Sequence, residues 1–170
     1  MAEQNLNTKF GDLFFVECFD KDGNLKWTDT IKNLVVNVGL DDALEQYFKG
    51  SAYTAAHYVG LTDGTPTVAA ADTMASHAGW TEVVAYDEAV RQTLTLGSVS
   101  SQSVDNSASK AVFTISANST TIGGAFISTD DTRGGSTGTL YGGGAFTAGD
   151  KSLDDNDVLN VTVTASAAAS

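Results

Sequence analysis

The stretch FDKDGNLKW (Phe19 to Trp27) places Asp20, Asp22 and Asn24 at alternate positions around Gly23. Oxygen ligands recur at this spacing in calcium loops. An EF-hand would need Gly at its sixth position and Glu at its twelfth, with a helix on each side. Counted from Asp20, those positions hold Leu25 and Ile31, and both flanks are rich in strand formers. The stretch therefore reads as an Asp-Gly hairpin turn, with a looser calcium turn as the alternative. Two further acidic groups, Asp130 with Asp131 and Asp154 with Asp155 and Asp157, have the composition of a cation site but read as solvated turns.

Other chemistry is sparse. His57, His77 and Cys18 are the only histidines and the only cysteine, too few and too scattered for a zinc site. A histidine-dependent triad would need one of these two with a nucleophile held in a strained turn, and the sequence singles out no such pair. The glycine-rich RGGSTGTLYGGG lacks the Lys-Ser/Thr ending of a phosphate loop. Gly134, Gly135 and Gly138 read as loop residues, and Gly142, Gly143 and Gly144 as a bulge or a close backbone approach. No pair of carboxylates stands out for glycosidic chemistry. Trp27, Trp80 and Tyr58 have the makings of a sugar platform, but in strands such aromatics more often anchor a core or an interface. The reading is of a protein that is not an enzyme, with no catalytic, cofactor or metal residue assigned.

The bulk numbers agree. At 170 residues the chain fits one domain with a sizeable core. Charged residues make up 18%, below the roughly 25% usual for globular chains, so Ser, Thr, Asn and Gly supply the polar surface. Nine Lys and Arg against 21 Asp and Glu give a net charge of −12, which argues against nucleic acid and anionic membrane as partners. The lone Cys18, in an apolar run, reads as a buried thiol without a disulfide. The opening MAEQNLNTKFGD has no apolar core of a secretory signal, and no run approaches the length of a membrane span. Cytoplasmic assembly is expected.

The elements that must position these residues are mostly strands. A polar arm precedes DLFFVECF and NLKWTDTIKNLVV, two strand regions joined by the turn. In NVGLDDALEQYFKG, Leu40, Leu44, Tyr47 and Phe48 form one apolar stripe at helical spacing. Asp41 and Asp42 read as its first turn, Lys49 as its last, and Gly50 as the residue just beyond. TPTVAAADTMASHAGW reads as a long loop or short helical turn. From Trp80 onward, WTEVVAY, VRQTLTLGSVS, KAVFTISA, TTIGGAFIST, TLYGGGAF and VLNVTVTAS read as strands between polar turns. The terminal ASAAAS reads as a fraying or edge segment. The expected fold is mainly β: an antiparallel sandwich or jelly-roll-like domain over residues 33–170, with one short helix. Residues 1–32 form an N-terminal arm and hairpin, expected as an anchoring extension.

The order of NLVVNVGLDDALEQYFKGSAYTAAHYVGL, ADTMASHAGWTEVVAYDEAVRQTLTLG, DNSASKAVFTI, GGAFIS, GGSTGTLYGGGAF and DVLNVTVTASA resembles structural proteins of tailed bacteriophages and prophages. The resemblance covers residues 33–168. It implies a virion component, foremost a capsid decoration (cement) protein on the outer surface of the phage head that bridges major capsid protein subunits. A tail or tail-fibre component, including a carbohydrate-binding β-domain, is the alternative. It further implies self-association, with a trimer suited to a threefold site. The interface residues expected are Phe10, Leu13, Phe14, Phe15 and Trp27.

Overall fold

The computed structural model describes residues 9–50 and 56–168; the arm over residues 1–8 lies outside them. In chain order the elements are β1 (Lys9–Phe19), β2 (Leu25–Lys32), β3 (Leu34–Val35), α1 (Asn37–Phe48), β4 (Tyr58–Thr62), β5 (Glu82–Val83) and β6 (Gln92–Thr93). There follow β7 (Ser103–Asp105), β8 (Ala111–Thr114), β9 (Thr120–Ile122), β10 (Gly124–Ser128), β11 (Leu140–Ala145), β12 (Lys151–Leu153) and β13 (Val158–Ala168). The first sheet runs β2-β1-β13-β7, with β8 also on β13. The second runs β3-β11-β10-β4-β5, with β6 also on β4, and β9 pairs with β12. Every pairing is antiparallel, and the fold is mainly β and sandwich-like.

The period of two decides what the first sheet buries. Phe14, Val16 and Cys18 of β1 point inward with Leu159, Val161 and Val163 of β13. They meet Val59 and Leu61 of β4 and Ala125 and Ile127 of β10, and this is the main core. The second sheet is buried on both faces. Phe126 and Leu140 look the other way, into a smaller core closed by Val36, Met74 and Trp80. The segment TPTVAAADTMASHAGW is thus an irregular lid over that sheet rather than a helix, pinned where Trp80 Nε1 donates to Asp72 Oδ2 at 3.2 Å.

Three sequence expectations change here. No break in packing falls at residue 32: β1 lies between β2 and β13 and pairs with β13 from Lys9 to Phe19. The hairpin belongs to the sandwich because its inward side chains have nowhere else to be buried. Ala165 to Ala168 do not form an edge either, since they continue β13 opposite β1. WTEVVAY and VRQTLTLGSVS contain only the two-residue strands β5 and β6 and single bridges at Tyr86 and Ser100.

α1 starts at Asn37, a turn earlier than its acidic pair suggests, so Asp41 and Asp42 occupy the second turn and Lys49 is the C-cap. Gly50 follows at φ 66°, the left-handed conformation that ends many helices. The N-terminal half is seated tightly. Val36 N donates to Tyr141 O at 3.1 Å, and a Cβ on Gly39 would stand 2.4 Å from that same oxygen. Only glycine permits this approach.

Candidate interaction surface

The residues first suspected of metal chemistry satisfy their own turns. Asp20 Oδ1 accepts from the amides of Asp22 and Asn24 at 2.9 and 2.8 Å, and the Asn24 side-chain amide reaches both carboxylate oxygens. These bonds, the Asn24 side chain first, hold the Asp20 carboxyl below its usual range. Asp157 takes Lys26 Nζ and the Asp154 amide. Asp130 takes the Thr132 amide at 2.8 Å and the Thr137 hydroxyl at 2.9 Å. Among the described residues, no three His, Cys, Asp or Glu side chains gather as a metal site. In the glycine-rich loop, the Gly134 amide donates to Glu82 at 2.9 Å, so it is already committed to a carboxylate.

Trp27 and Trp80 serve different cores. Trp80 is only 5% exposed, stacked on His77 with ring centroids 3.7 Å apart. Trp27 stands opposite Cys18 in the hairpin register and meets Phe146 edge-on at 5.6 Å. They share no platform.

One cleft of about 130 Å³ does gather titratable groups. Asp12, His57 and Tyr141 line it with Leu94, Leu96, Ile127, Val163 and Ala165. Burial raises the Asp12 carboxyl, partly offset by the hydrogen bond from Asn33. It lowers His57, against the opposing pull of Asp42, and it raises the Tyr141 hydroxyl. Among the described residues, no serine, threonine or cysteine lines the cleft, so they do not assemble the base–nucleophile pairing of covalent hydrolysis there.

The five expected interface residues part company. Phe14 is fully buried in the main core and so is closed to a partner, while Trp27 is partly buried and packs against the same core. Leu13 and Phe15 project from the outer face of the first sheet. Their cross-strand neighbours there are Lys32 and Thr164, and Thr30 and Thr162. Phe10 is half exposed and joins a different surface, which the strand-based reading missed.

That surface is α1. At 100° per residue, Leu40, Leu44, Tyr47 and Phe48 share one side, with Asp42 and Gln46 on the other. The polar side faces the body: Asp42 and Gln46 are partly buried, and Gln46 Oε1 is enclosed without a hydrogen-bond partner among the described residues. The apolar side faces out, with Tyr47 83% and Phe48 75% exposed. Phe10, Ala43, Leu44, Tyr47 and Phe48 enclose a cleft of about 260 Å³. Phe10, Tyr47 and Val99 (itself 74% exposed) line the adjoining one. The sequence carried a signal in the helical stripe, but a stripe does not reveal which way it is turned.

No helix among the described residues is long and apolar enough to cross a membrane. No protein-family model, curated protein or solved structure matches the chain.

Proposed function

We propose that the protein is a non-enzymatic structural component of a tailed-bacteriophage virion: a decoration protein on the outer surface of the head, assembled in the host cytoplasm, that bridges major capsid protein subunits. The observation that carries this reading is the outward setting of α1. An apolar stripe presented to solvent, over a polar side pressed to the body, suits a protein whose work is contact with neighbouring subunits. Three other features support the assignment. The ordered phrases over residues 33–168 resemble phage structural proteins, the net charge of −12 keeps an abundant protein soluble, and the polar turns are occupied with their own hydrogen bonds. A second apolar surface, Leu13 and Phe15 on the outer sheet face, offers a separate contact, so one molecule can bridge two neighbours.

The test is location and effect. Antibody labelling of purified virions is expected to mark the head, and heads lacking the protein to rupture at lower temperature until it is added back. Labelling confined to the tail, or heads equally stable without it, would replace this reading.

A further inference from the structure

We infer that the α1 surface is a twofold interface, covered by α1 of a second copy in antiparallel pairing. This rests on the reading of that surface as a subunit contact and goes on to name its occupant.

The area fits. A whole aromatic side chain is worth roughly 150–250 Å² and an aliphatic one somewhat less. At the exposures of Phe10, Leu40, Leu44, Tyr47, Phe48 and Val99, about 700 Å² per molecule lies bare. Two such surfaces face to face bury at most about 1,400 Å², within the range of roughly 1,200–2,000 Å² for stable specific contacts. A single helix stripe that small would leave most of a larger partner's interface to be found elsewhere.

The pattern fits a second copy as well. A twofold axis requires one surface to complement itself. Centred on Leu44, an antiparallel crossing sets Leu44 against its own copy and Leu40 against Phe48 at both ends. Opposed helix directions also set each helix's positive end beside the other's negative end. Charge permits a second copy here. Each molecule carries −12, so two copies repel unless they meet where charge is sparse. Phe10, Ala43, Leu44, Tyr47 and Phe48 line the central cleft without a charged side chain among them.

The full-length protein tests this by light scattering on a sizing column across a dilution series. The expected mass is that of two chains of 17.6 kDa. Leu44→Glu should raise the dissociation constant by at least about thirtyfold, the effect of a central interface residue. Its far-UV circular dichroism should be unchanged, because Leu44 is half exposed and outside both cores. Phe15→Ser, on the other face, should leave the dimer intact. A Leu44→Cys variant treated with a short bis-maleimide should crosslink into covalent dimers, and a Thr28→Cys variant should not. A monomer at every concentration, a trimer, or a dimer indifferent to Leu44→Glu would overturn the pairing. The two readings fail separately. A monomer that still decorates heads removes only the pairing, and a dimer absent from purified heads removes only the virion assignment.

Discussion

Arg91 and Glu82 form a two-pronged ion pair in which Nε meets Oε1 at 2.9 Å and Nη2 meets Oε2 at 2.7 Å, the arginine entirely out of solvent. The remaining guanidinium donors reach Asp130 O and Gly135 O, both at 2.8 Å, and Ser128 Oγ at 3.3 Å, and Cζ lies 5.1 Å from the Phe126 ring centroid. With the Gly134 amide on Glu82, the pair ties the loop at 129–138 to β5. A buried charge is tolerable only when its partners stay in place.

Arg91→Met is therefore expected to cost about 3–5 kcal/mol by leaving Glu82 buried and unpaired. Arg91→Met with Glu82→Met should recover much of that loss, since replacing both partners removes the stranded charge. Urea unfolding of the three variants measures this, and a double variant no better than the single one would contradict it.

Phe14 and Phe15 separate by strand parity. Phe14→Ala should cost about 3–5 kcal/mol by opening a cavity in the main core. Phe15→Ala, from a partly exposed site, should cost no more than about 1 kcal/mol. Equal costs by denaturant titration would mean that β1 is set the other way round.

How far the chain could be read in advance follows the same physics. Asp20, Gly23 and Asn24 announce the hairpin because a turn's requirements are local, and VLNVTVT announces β13 because one face is buried. Phe14 and Phe15 must point oppositely by parity, but the unbroken run LFFV hides which of them points in. The helical stripe from Leu40 to Phe48 identifies residues that share a side, and says nothing of what that side meets. The partner of β1 lies at the far end of the chain, beyond any local pattern, and so the break expected at residue 32 was misplaced. Arg91 and Glu82 join through irregular backbone, which has no period to read.

His57 gives a pH dependence. Burial lowers its folded-state value below 6.5, so the unfolded chain binds the proton more readily between the lowered value and 6.5. Stability contributed by neutral His57 is present above 6.5 and falls as pH drops through that window, Asp42 reducing the effect. Asp12 has the opposite sign. Its raised value makes the charged form a cost that appears as pH rises above 3.8 and saturates above the raised value. His57→Gln should flatten the decline in melting temperature between about pH 7 and 5. An unchanged slope would remove His57 as its cause.

Cys18 should be silent to thiol reagents in the folded protein. It is fully buried, and burial first, then the charge of Asp157, pushes its thiol up to about 12. Labelling by an aromatic disulfide reagent is expected only as fast as the sandwich opens, accelerating with urea in step with unfolding. Prompt labelling in buffer would show that the first sheet opens locally.

The pairing of β1 with β13 has a consequence for the order of events in the cell. Lys9 finds its place opposite Ala168, so the strand at the middle of the first sheet waits almost the length of the chain for its neighbour. During translation the β1–β2 hairpin emerges early, with its inner face of Phe14, Val16 and Cys18 uncovered and one edge unpaired. Only when β13 leaves the ribosome can the sheet close, and such distant partners meet slowly. The nascent chain therefore passes through its most adhesive state just before synthesis reaches β13, and there a chaperone would have most to do.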